Sequence, residues 1–168
     1  MSTNKSTFCI LSEDGKKCTF PNDADEGGLW KSVQAEAPLP SENGSEIELK
    51  VSAAKITHFS VGVAPKMGDY ETHAHYKAKG YMLRLDGDFF NGTQMRSMFD
   101  YTKMKNDQEY KVKLSISLGS IKISIDDEDM GYGAQGDGEI NSESQFYLTI
   151  SSLGKGEVEI LSNEILNT

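Results

Sequence analysis

The sequence predicts an all-β protein, an antiparallel sandwich. Two observations lead there. Apolar and polar residues alternate with a period of two in run after run, and the runs are separated by Gly, Asn or Asp turns. A third observation agrees, since no window carries a sustained stripe at helical spacing. The best helical stretch, Thr93 to Tyr101, is short and uncapped and reads as loop with a single turn.

The first element is a hairpin turned at LSEDGK, between Cys9 and Cys18. Pairing Leu11 with Lys16 would set the two cysteines directly opposite each other. Next, Ile47, Leu49 and Val51 alternate with Glu46, Glu48 and Lys50, and Phe59, Val61 and Val63 with Ser60, Gly62 and Ala64. Tyr81, Leu83 and Leu85 alternate with Met82 and Arg84. The longest signal is Tyr110, Val112, Leu114, Ile116 and Leu118, interleaved with lysines and serines, then Ile121, Ile123 and Ile125 after Gly119-Ser120. A Gly-Ser link suits a type II′ turn, because glycine accepts the positive φ at its first central position; Leu118 would then face Ile121. Phe146, Leu148 and Ile150 follow, and Val158 and Ile160 close the series. Strands with one apolar and one wet face build two packed sheets. No repeat or linker divides residues 1–168, so a single domain is expected.

Composition narrows the function. A formal charge of −9 with no Lys/Arg cluster repels phosphate, which argues against nucleic acid and anionic membranes as ligands. The amino terminus, MSTNKSTFCI, lacks the apolar stretch of a secretory signal, and nothing approaches membrane-spanning length. A cytoplasmic chain is expected, with Cys9 and Cys18 as free thiols; a cross-strand disulfide is the alternative. The sequons at Asn4, Asn43 and Asn91 carry no weight in that setting.

With the strands in place, their order resembles the SPRY (B30.2-type) family. LWKSVQAEAPLPSENGSEIELKV, FSVGVAP and GYMLRLDGDFFNG follow the opening of such a domain: a tryptophan segment, an acidic strand, a v-G-v-a strand, and a strand ending in n-G. YKVKLSISLGSIKISI is similar to its long hairpin, MGYGAQ stands where the family has l-G-x-a-f, and QFYLTISSLGKGEVEIL is similar to its closing strands. The resemblance runs from Trp30 to Leu161. It departs at Asn106-Asp107, where the family has G-D, and at Asp127-Glu128-Asp129, where it has N-G-k. The resemblance implies a concanavalin-like jelly roll without catalysis or cofactor, binding a protein or peptide through loops at one end.

Three constellations are candidate sites. Asp126 to Asp129 offer carboxylates, but the spacing of a calcium loop fails and a strand precedes them, so the run reads as the wet end of a hairpin. Glu71, His73 and His75 share one side of an extended segment; with no fourth ligand nearby they read as polar surface rather than zinc site. His58 reads as a strand-edge residue and Trp30 as core. The aromatics between strands are the third. Tyr70 and Tyr76 fall in one expected loop, Phe89, Phe90, Asn91, Arg96 and Tyr101 in another, and Tyr132 in a third. Rigid rings desolvate area at small entropic cost, so these residues, with Arg84 as a charged partner, are the predicted protein-binding set. A calcium-assisted, lectin-like carbohydrate binder is the competing reading, and a subunit of a larger assembly a third.

Overall fold

The computed structural model describes residues 9–23, 28–39, 44–74, 79–91, 94–97, 104–117, 120–135 and 145–165; of 91, 94–97, 131–135 and 164–165 it describes the backbone alone. The strands are β1 (Ile10–Leu11), β2 (Lys17–Phe20), β3 (Lys31–Gln34), β4 (Ser45–Ala53), β5 (Phe59–Ala64), β6 (Tyr81–Arg84), β7 (Asp88–Asn91), β8 (Gln94–Ser97), β9 (Glu109–Ser117), β10 (Ser120–Ile125), β11 (Glu128–Gln135), β12 (Tyr147–Ser152) and β13 (Gly156–Ile165). They form two antiparallel sheets, one in the order β1-β2-β13-β4-β9-β10-β11, the other β3-β12-β5-β6-β7-β8. The expected all-β sandwich is what the chain forms.

The alternation explains the packing between the sheets. Ile47, Leu49 and Val51 of β4, with Val112, Leu114 and Ile116 of β9, turn inward from the seven-stranded sheet. They meet Val61, Val63, Leu83, Phe89, Leu148 and Ile150 from the six-stranded one. Each such side chain contributes about 1.5–3 kcal/mol of burial. At Gly62 the strands approach so closely that a Cβ would lie 2.0 Å from the Tyr81 carbonyl oxygen.

Both hairpin registers differ from expectation by two residues. Leu11 pairs with Cys18 rather than Lys16, which puts Cys9 diagonal to Cys18, Cα atoms 6.6 Å apart. Ile121 pairs with Ile116, and Ser117 with Ser120, so the turn is centred one residue earlier than Gly119-Ser120. A slip of two leaves every side chain on its own face, so a period-two pattern does not register it. The two cysteines are joined as a disulfide, not free thiols.

Two strands replace what reads as loop. Asp88–Asn91 and Gln94–Ser97 are paired as β7 and β8, with Phe89 facing the core and Phe90 the opposite face. They lack alternation because Phe89 and Phe90 are buried on opposite faces of one strand. The acidic run is the wet end of a hairpin: Asp126 and Asp127 form the link between β10 and β11, both with positive φ (49° and 66°), as a type I′ turn requires. Lys111 N–H donates to the Asp126 carboxylate at 2.8 Å, and Lys111 Nζ contacts Asp127 at 2.9 Å.

Candidate functional site at the Phe20 end

Of the predicted binding residues the structure gathers Tyr70, Arg84 and Phe90 on the outer side of the six-stranded sheet, and several are engaged within the chain. Phe89 and Phe90 are 1% and 7% exposed, in a strand rather than in a loop. Arg84 holds Asp86 with both Nε and Nη2, at 2.8 and 2.7 Å, and Asp88 at 2.5 Å, so its fork is filled from within the chain. Its guanidinium also stands 5.9 Å over the Phe90 ring. Asn91 and Arg96 sit in β7 and β8 and Tyr132 in β11 opposite Lys122, positions known by backbone alone. Tyr76, Tyr101 and His75 lie outside the described residues.

Tyr70 belongs to a strap, residues 65–74, that sweeps across the outer face of the six-stranded sheet. Gln34 is its anchor. The Gln34 amide nitrogen donates to the Pro65 carbonyl at 2.9 Å and to Thr149 Oγ1 at 3.0 Å. Its oxygen accepts from the Met67 N–H at 2.8 Å and the Tyr70 hydroxyl at 3.2 Å. Burial pushes the Tyr70 hydroxyl pKa up. Ser32 Oγ donates to the Thr72 carbonyl at 2.5 Å, and Ala74 N–H donates to Ser151 Oγ at 3.1 Å. His73, expected on polar surface, is instead 5% exposed. Its Nε2 lies 3.0 Å from Ser60 Oγ, with the Trp30 ring edge-on at 4.5 Å and Phe90 at 5.0 Å. Trp30, expected in the core, is half-buried over this histidine. Among the described residues no three His, Cys, Asp or Glu side chains gather as a metal site.

Open concave surface lies elsewhere. Where β2, β4 and β12 end and β3 and β13 begin, two clefts adjoin on either side of Phe20. The larger, about 460 Å³, is lined by Thr19, Phe20, Pro21, Ala53, Ala54, Asp107, Lys155 and Gly156, among others. The second, about 370 Å³, runs from Phe20 past Asn22, Leu29 and Lys31 to Ser152, Leu153 and Gly154. None of the predicted binding residues that the structure describes lines either cleft.

The rim is held by backbone bonds. Leu153 N–H donates to the His58 carbonyl at 2.9 Å, Ala54 N–H to the Lys155 carbonyl at 2.9 Å, and Asp107 N–H to the Ala53 carbonyl at 2.8 Å. The His58 ring, half-buried beneath, has its pKa lowered, chiefly by burial. The floor is fixed by Phe20, edge-on to Phe59 at 5.8 Å. Gly156 is required there, since a Cβ would come within 2.3 Å of the Phe59 ring. Concave surface that mixes apolar side chains with polar and charged rim groups is where small ligands and peptides can seat. Leu29, 66% exposed at the mouth, is the most exposed large hydrophobic residue among those described. The sequence signal for it was slight: an apolar residue wedged between Gly28 and Trp30.

Strand order and geometry together define a SPRY-like β-sandwich. The SPRY domain of human HERC1 superposes with a TM-score of 0.67 at 10% identity, over 94% of this chain and 93% of that one. A human SPRY domain gives 0.61 at 15% identity, over 92% and 94%. The carbohydrate-binding module CBM66 from Bacillus subtilis gives 0.57 at 16% identity, over 96% of both chains. Neither a protein-family model nor a curated protein sequence matches the chain.

Proposed function

We infer that the chain is a non-enzymatic binding module that takes an extended peptide segment of a protein partner across the Phe20 end. The observation that carries this is the pair of adjoining, preformed clefts with Phe20 as shared wall and Leu29 exposed at the mouth. Likeness to SPRY domains supports it, since those are protein-interaction modules. Apolar peptide side chains would fill the clefts, while a rim that carries both signs, Lys31 and Lys155 beside Asp23, Asp107 and Glu157, suits neutral or mixed-charge flanks.

The test is selection from a displayed random-peptide library, followed by titration of the winning peptide against wild type and a Leu29→Asp/Lys155→Glu variant. Both side chains are exposed, so the melting temperature should hold while affinity falls on the order of tenfold or more. Unchanged affinity would remove the clefts as the site. Likeness to CBM66 favours a second reading, in which the same end binds a sugar. A glycan array bound by wild type but not by the variant, with no peptide selected, would put that reading first.

A further inference from the structure

The hairpin of β1 and β2 backs the wall shared by the two clefts, and it carries the cysteine pair. β1 is two residues long, lies at the edge of its sheet and pairs with β2 through Ile10–Thr19 and Leu11–Cys18. Thr19 and Phe20, the last residues of β2, line the larger cleft. Cys9 and Cys18 are 2% and 0% exposed, packed in the core and bonded to each other.

We propose that Cys9 and Cys18 are a thiol–disulfide modification site that clamps β1 against the Phe20 wall, so that the clefts are firm when the pair is oxidised and loosened when it is reduced. The consequence for binding rests on the cleft reading above; the chemistry of the pair does not. In the dithiol state, the thiolate of one cysteine attacks a low-molecular-weight disulfide such as oxidised glutathione. One thiol leaves and a mixed disulfide forms. The thiolate of the other cysteine then displaces the second thiol and closes the Cys9–Cys18 bond. The protein loses two electrons and two protons, and the external disulfide becomes two thiols.

Access follows from the edge position. Both sulfurs are buried, so exchange requires opening, and a two-residue edge strand with Ile10 58% exposed is the element of this sheet with least to hold it. Without the covalent tie, β1 keeps two residue pairs and the turn bonds that follow, Ser12 N–H to the Lys17 carbonyl and Lys17 N–H to Ser12 Oγ. β2 remains paired with β13 through Phe20–Gly156 to Lys17–Glu159, and becomes the edge strand whenever β1 opens away.

The experiment equilibrates the full chain in reducing and oxidising glutathione buffers. Remaining thiols are trapped by alkylation and counted by mass, and amide hydrogen exchange is followed in each state. The expected result is an alkylation-resistant pair under oxidising conditions and, on reduction, exchange faster by on the order of tenfold at Ile10, Leu11, Thr19 and Phe20, with Val112 to Ile116 unchanged. A Cys9→Ala variant should show the fast pattern in both buffers. Two alkylatable thiols under oxidising glutathione, or equal exchange at Thr19 and Phe20 in the two states, would overturn the proposal. The Leu29→Asp/Lys155→Glu variant separates the two ideas: it should lose ligand and keep the exchange response.

Discussion

The two outer faces of this sandwich are built on opposite rules. Outside the seven-stranded sheet, Glu46, Glu48, Lys50, Lys111 and Lys113 stand half in water and pair across strands: Lys50 with Glu159 at 2.8 Å, Lys17 with Glu157 at 2.7 Å, Lys113 with Glu46 at 3.6 Å. Outside the six-stranded sheet the residues are Ser32, Gln34, Ser60, Thr149 and Ser151, all essentially without solvent contact. Hydrogen bonds to the strap satisfy Ser32, Gln34, Ser60 and Ser151, and Thr149 bonds Gln34 and the Tyr147 carbonyl; the ion pairs of this face are those of Arg84 with Asp86 and Asp88. Charge on an open face is cheap and adds little, whereas an uncharged polar group under cover must be matched bond for bond.

The sharpest way to break this contrast is at Gln34. Gln34→Ala removes four hydrogen bonds and strands the Met67 N–H and the Pro65 carbonyl beneath the strap. A loss of about 2–4 kcal/mol is expected, read as roughly 5–15 °C in melting temperature. A fall of under about 2 °C would mean that the serine bonds to Tyr70, Thr72, His73 and Ala74, with apolar packing, hold the strap without Gln34.

On the open face, Lys113→Gln should change stability by no more than about 0.5 kcal/mol, in urea melts with or without added salt. A larger loss would make the charge ladder structural after all.

Titration gives the smallest effect and a sign. The Lys111 hydrogen bond holds Asp127 below the usual carboxylate range, and the Lys50 hydrogen bond does the same for Glu159. Those contributions are complete above the ordinary carboxylate values and fade as pH falls through the lowered ones. The same partners raise Lys50 and Lys111, a contribution present below their ordinary value and lost as pH rises through the raised one. All four groups stay in contact with solvent, which screens them, so the slopes are slight. Lys111→Gln should flatten the urea midpoint against pH below about pH 4, and about 1 M salt should erase the difference. An identical profile in wild type and variant would show that the pair contributes nothing.

The same contrast explains what was legible in the sequence. β4, β9 and β10 stand out because their wet face is solvated, which writes lysine, glutamate and serine between the apolar residues. β5 and β12 are buried on both faces, and apart from Tyr147 their outward positions carry Ser, Gly, Thr and Ala, small enough to fit under a strap. β7 hides itself by burying adjacent phenylalanines in opposite directions. The strap was invisible, since its anchor is a single glutamine in a strand and its partners are backbone groups thirty or more residues away in sequence. Aromatic content therefore pointed at Tyr70, Phe89 and Phe90, rings that the strap and the core engage. The clefts were missed because they arise where strand ends meet, and strand ends are set by register, to which a period of two is blind at even shifts.

Gln34 has a consequence for how such a chain diversifies. With two donors and an acceptor oxygen all committed, no single replacement at that position preserves the arrangement; change there must be concerted with the strap that answers it. Leu29 and Lys155, exposed at the cleft mouths, carry no comparable set of buried bonds and can change one at a time. Inheritance would thus conserve the covered face as a frame and spend its variation at the Phe20 end, where new specificities cost the fold least.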